Sequence, residues 1–117
     1  GLSTSRGDYD AALAARDAGE AALAKLLSSH DVIMTPAAPS GAPAGIEETG
    51  DPLFSRLWTV MRVPTITLPF GRDDANLPLA FQLVGRFGSD QTLLVHSAVI
   101  ADHLQISCEI PKLQPHL

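Results

Sequence analysis

Three short apolar runs, each cut off by proline or glycine, fall between Asp31 and Gly85: DVIMT, PTITLPF and LAFQLV. They are too short for packed helices and rich in β-branched residues, so they read as strands. Proline lacks the N–H that a central strand needs. Pro36 is therefore expected to stop the first strand, Asp31–Thr35. Pro69 places the second, Pro64–Phe70, at an edge or brings it to its end. Leu79–Val84 carries no proline, and Gly85–Gly88 breaks it. Gly71–Asn76 is read as the polar turn of a hairpin joining the last two strands.

Three segments read as helices. DYDAALAARDAGEAALAKLLSSH is rich in Ala and Leu, and Asp8 is expected to cap a helix running to about Ser29. Leu13, Arg16, Glu20, Leu23 and Leu27 recur at spacings of three and four and mark its inward side. Asp51-Pro52 starts a second helix whose apolar face is Leu53, Phe54, Leu57, Trp58 and Met61. Ser89 caps a third, with Asp90 in its first turn. Its apolar side is Leu93, Leu94, Ser97, Ala98, Ile100, Ala101 and Leu104. Gly1–Gly7 reads as a polar lead-in and Gln105–Leu117 as a tail. Pro36–Gly50, dense in Pro, Ala and Gly, is a loop long enough to be functional. The order helix, strand, helix, strand, strand, helix indicates an α/β sandwich in one segment, residues 1–117.

Composition excludes several functions. A net charge of -5, with Lys and Arg scattered singly, disfavours nucleic acid and anionic membranes as partners. No apolar run approaches the roughly 18 residues of a membrane span, and no signal peptide is evident. The single cysteine, Cys108, excludes an intrachain disulfide and a cysteine-based metal site. It suits a reducing cytoplasm.

Four pieces in order carry a resemblance. Thr35-Pro36 leads into an Ala-Pro loop. Phe54 and Trp58 precede a strand with Pro64, Thr67, Pro69 and Gly71. Leu77-Pro78 precedes Phe81-Gln82-Leu83-Val84-Gly85. Leu93, Leu94 and Ala98 lie on the closing helix. Together these resemble the C-terminal portion of the amidase-signature family, over roughly Asp31 to Leu104. The resemblance implies a piece of that family's mixed-sheet α/β sandwich. It implies a parent that hydrolyses a small-molecule carbon–nitrogen amide bond with two serines and a lysine, using no metal or organic cofactor. In that family those residues lie upstream, so this chain is expected to begin too late to contain them and to be inert alone. A non-enzymatic binding or assembly module derived from the fold is the rival expectation. Three positions depart from the family pattern: Arg62 and Ala80 where glycine is usual, and Thr59 where asparagine often follows the tryptophan.

No catalytic residue is assigned. The only lysines, Lys25 and Lys112, sit in no matching motif, and no G-x-S-x-G elbow exists. The resemblance makes Trp58, Thr59 and Arg62 the candidates for lining a substrate funnel. The plainer reading puts Trp58 in the core and Arg62 at a helix end as a solvated cation. His96 and His103, seven apart on the last helix, read as surface residues rather than a metal site. Glu47-Glu48 reads as a solvated loop pair, and Gly85-Arg86-Phe87-Gly88 as a strand-to-helix turn rather than an anion cradle. A piece of a larger sandwich exposes edges and apolar faces, so a homo-oligomer is expected.

Overall fold

Ala and Leu dominate the first 30 residues, and they form the longest element of the computed structural model, which describes residues 3–106. Helix α1 spans Arg6–Leu27. Its N-cap is Ser5, and Asp8 is the fourth member of a capping box rather than the cap itself. The Asp8 amide donates to Ser5 Oγ at 3.1 Å, while the Ser5 amide and hydroxyl donate to Asp8 Oδ2 at 3.3 and 2.7 Å. These two bonds, the hydroxyl's first, hold the Asp8 carboxyl below its ordinary range. At the other end Arg86 donates to the Leu27 carbonyl, and Ser28 Oγ to that of Lys25, so α1 ends with its orphan acceptors filled. Leu23 and Leu27 are buried and Leu13, Arg16 and Glu20 half-buried, which is the side marked by their spacing.

The strands are β1 (Ile33–Pro36), β2 (Thr65–Arg72) and β3 (Pro78–Val84). They form an antiparallel sheet in the order β1-β3-β2. The central strand carries proline only at its first residue, Pro78, and the Pro69-bearing strand is at the edge, as donor counting allows. Most strand boundaries shift by one or two residues, and two of the shifts are informative. Pro36 does not stop β1 but belongs to it, paired with Phe81, which an edge strand tolerates. Gly71 and Arg72 extend β2 instead of starting a turn. A bulge between Pro69 and Gly71 takes up Phe70, and the ladder resumes at Gly71↔Leu79. The turn proper is Asp73–Leu77, where Asp73 Oδ1 accepts the amides of Ala75 and Leu77 at 2.9 and 2.8 Å.

Helix α2 spans Leu53–Val60 and α3 spans Asp90–His103. Neither is capped by the side chain its sequence suggests. Ser89 Oγ donates to the Arg86 carbonyl at 2.7 Å, and α2 starts at Pro52 with no side-chain cap from Asp51. Gly85 lets α3 approach the end of β3. A Cβ there would lie 3.1 Å from Ser89 Oγ and 3.2 Å from Leu93 Cβ. The core is Leu68, Phe81, Leu83 and Leu93, with Val32, Ile66, Ile100 and Ala101 around it. Ile106 also packs against this core, so the first residues after α3 are not a free tail. The rest of that tail, with Cys108, Pro111, Lys112 and Pro115, lies outside the described residues, as do Gly1 and Leu2. The apolar stripes of α2 and α3 are only partly used: Leu53, Leu57, Leu94 and Leu104 are about half exposed.

Candidate functional site

The Pro-rich segment leaves β1 at Pro36 and returns to α2 at Asp51. In between it arches over one end of the sheet and encloses an open cavity of about 1300 Å³. Close packing fixes one side of the arch. A Cβ on Gly41 would overlap the Asp73 carboxylate and sit 3.2 Å from Leu77 Cβ, so only glycine fits against the β2–β3 turn there. The other side is fixed by a buried amide. Gln82, 3% exposed at the middle of β3, donates to the carbonyls of Pro36 and Phe54 at 3.2 and 2.6 Å. One side chain thereby ties the exit of β1 and the first turn of α2 to the central strand.

The cavity floor is Met34, Leu79, Ala80 and Phe81, together with Phe70. The bulge delivers Phe70, which is 64% exposed and lies 6.2 Å from the Phe81 ring, tilted by 45°. The rim carries Glu47, Glu48 and Asp51. Two of the three hydroxyls at the cavity are spent locally: Thr35 donates to the Pro36 carbonyl and Ser40 to that of Gly41. Among the described residues no lysine or histidine lines the cavity, so this part of it can hold a ligand but contains no serine–base pair.

Trp58, Thr59 and Arg62 lie at the opposite end of α2 and are not part of this lining. Trp58 is half-buried, and its Nε1 is inaccessible and without a hydrogen-bond partner among the described residues. Thr59 is exposed and donates its hydroxyl to the Ser55 carbonyl at 3.1 Å. Arg62 takes a left-handed φ of 56°. Its amide donates to the Thr59 carbonyl and the Val63 amide to that of Trp58, closing the Schellman turn that glycine usually makes. The guanidinium donates to Glu20 Oε1 and Oε2 at 2.9 and 3.1 Å and covers the Phe87 ring at 5.7 Å. Arg62 therefore joins α1, α2 and the β3–α3 turn.

Two terms oppose each other at Arg62. The left-handed conformation costs a non-glycine residue roughly 1–2 kcal/mol. The half-exposed ion pair and the cation–π contact return about 1 kcal/mol together. Arg62→Gly is thus expected to leave stability nearly unchanged. Arg62→Ala keeps the strain, loses both contacts and should fall by about 1 kcal/mol. Urea unfolding checks this; equal midpoints for the two variants would show that backbone strain is not the deciding term.

Among the described residues His96 Nδ1 is buried without a partner, and no group of three or more His, Cys, Asp or Glu could hold a metal. Phe70 and Gly41 were not singled out by sequence reasoning, and Gln82 was named only within the motif that carries the resemblance. A lone polar residue inside the apolar run LAFQLV was the available sign for Gln82. The doublet Pro69-Phe70 before glycine was the sign for the bulge.

The antiparallel sheet, its helices and the arched loop match part of a solved amidase in fold. A family model described as Amidase matches residues 2–94, and the chain belongs to that family. Its curated relatives include a glutamyl-tRNA(Gln) amidotransferase subunit of Gluconobacter oxydans, 36% identical over 60% of this chain and 16% of the relative. The same subunit of Granulibacter bethesdensis is 35% identical over 82% of this chain and 21% of the relative. Among solved structures, an amidase superposes with a TM-score of 0.76 at 28% identity, covering 92% of this chain and 27% of that one. The Thermotoga maritima glutamyl-tRNA(Gln) amidotransferase subunit gives 0.63 at 29%, covering 92% and 23%. The chain thus spans about a fifth of the curated relatives' length and about a quarter of the solved chains. The expected fold, a piece of the amidase-signature α/β sandwich with its element order, is the one found. No described helix is long and apolar enough to cross a membrane.

Proposed function

We propose that this chain is the C-terminal part of an enzyme that cleaves carbon–nitrogen amide bonds, and that it supplies one wall of the substrate cavity but no catalytic residue. The observation that carries this reading is the cavity under the 37–51 arch, in a chain of the amidase family. Among the described residues its lining has binding surface and no nucleophile with a base, which suits a wall and not a reaction centre. In the same reading Trp58, Thr59 and Arg62 line a substrate funnel outside this cavity, which the remainder of the enzyme completes. We place its work in the cytoplasm, consistent with the single cysteine.

The test is ammonia release from simple primary amides such as acetamide, benzamide and glutamine. The pure chain should release none, and the full-length protein to which the segment belongs should release it. Hydrolysis by the pure chain, lost on a point substitution within it, would overturn the inert-wall reading. An inactive full-length protein would overturn the amidase reading. Exposed Leu94, Val95 and Val99 on α3 also support self-association when the segment stands alone. Sedimentation of the same preparation should give a mass above the monomer's, and a monodisperse monomer at high concentration would refute it.

A further inference from the structure

The cavity pairs an apolar floor with a rim of one charge sign. Met34 and Phe70 are 53% and 64% exposed there, so two large apolar groups stand open to water beside Leu79 and Phe81. The bulge between Pro69 and Gly71 puts Phe70 at that floor. On the rim, Glu47, Glu48 and Asp51 face no arginine, lysine or histidine among the lining residues. None of the three takes part in an ion pair among the described residues.

Each class of occupant can be weighed against this lining. An anion meets three like charges. A neutral apolar molecule covers the floor and leaves the carboxylates unused. A cation with an apolar body covers the floor, offsets the rim, and can set its charge on the open Phe70 face. We propose that the cavity selects an amide whose aryl or alkyl body carries an ammonium or guanidinium group, with Glu47, Glu48 and Asp51 as the charge-selecting residues. This rests on the reading of the cavity as part of an amide pocket.

The probes are 4-phenylbutylammonium and 4-phenylbutyrate, which share a skeleton and differ in charge. They are titrated into the chain by heteronuclear NMR, and offered to the full-length protein as inhibitors of amide hydrolysis. The ammonium should bind about tenfold more tightly than the carboxylate, since three exposed carboxylates attract the one and repel the other. The shifts should map to Phe70 and Leu79. The preference should fall to within about threefold in Glu47→Gln/Glu48→Gln/Asp51→Asn, whose exposed positions spare the fold, and should shrink as salt is raised. Phe70→Ala should weaken both probes. Equal affinity for the two probes, a preference that survives the triple substitution, or no binding of either by folded protein overturns the proposal. If a chain too unfolded to titrate prevents the NMR readout, the inhibition ratio on the full-length protein decides in the same way. Amide hydrolysis without charge preference sinks this inference alone. Charge-selective binding by a protein that hydrolyses no amide sinks the amidase reading instead.

Discussion

Gln82→Glu is expected to lower stability by about 3–5 kcal/mol at neutral pH, the range for a buried charge left without a partner. The side-chain amide is 3% exposed and donates to two carbonyl oxygens, those of Pro36 and Phe54. A carboxylate of the same shape has no proton to give and meets both oxygens with negative charge. Burial raises the pKa of the introduced carboxyl above its unfolded value, so the neutral form's stability is kept below the unfolded value and lost as pH rises. The deficit against the parent chain should therefore shrink as pH falls toward 4, a dependence Gln82→Leu should lack. Gln82→Leu leaves the two carbonyls without this donor and should cost about 1–3 kcal/mol. Urea unfolding of the three proteins across pH checks the order; identical deficits at pH 7 would mean that the donor pair is not what holds the site.

The second large effect is expected at Leu83. This side chain is fully buried, in the core cluster at the centre of β3, and pairs with Met34 on one side and Ile66 on the other. Leu83→Ala removes the central side chain of that row and leaves a hole that strands paired on both sides close poorly. The cost should be about 2–5 kcal/mol, a large part of what holds an ordinary domain folded. Met34→Ala truncates its partner in the same row, but Met34 is 53% exposed and should cost less than about 1 kcal/mol. Chemical denaturation with near-UV dichroism measures both. A Met34→Ala loss as large as that of Leu83→Ala would mean that this face is covered by something beyond the described residues.

Local pattern was enough for the elements and not for their ties. The inward side of α1 was readable because Leu13, Arg16, Glu20, Leu23 and Leu27 follow the helical period, and burial follows that line. The central place of β3 fits a run, Leu79–Val84, with no proline inside it, but the strand order itself was not read from the sequence. The reach of β2 was not readable, because Gly71-Arg72 has turn composition and the bulge at Phe70 that carries the ladder past it has no strict signature. The stripes on α2 and α3 told which faces are apolar. They could not tell what covers them, and in a chain a fifth the length of its relatives much of that surface stays open. The substitution of Arg62 for glycine was visible in the sequence, but its partner Glu20 lies 42 residues away. Gln82 is harder still. Its acceptors are backbone carbonyls, which every residue carries, so nothing in the sequence distinguishes Pro36 and Phe54 from their neighbours.

The strand order has a consequence for the chain while it is being made. β3 is the last strand to leave the ribosome, yet it alone touches both others, with Ile33 and Thr65 both facing Val84. Until β3 emerges, β1 and β2 have no neighbour within this sheet. At roughly 5–20 residues per second, β1 waits for seconds with its backbone groups unpaired. Nascent chains that stop short of Pro78 should therefore hold helix but none of this sheet. The arch over the cavity, hung between β1 and Gln82 of β3, takes shape only once translation has passed the middle of the last strand.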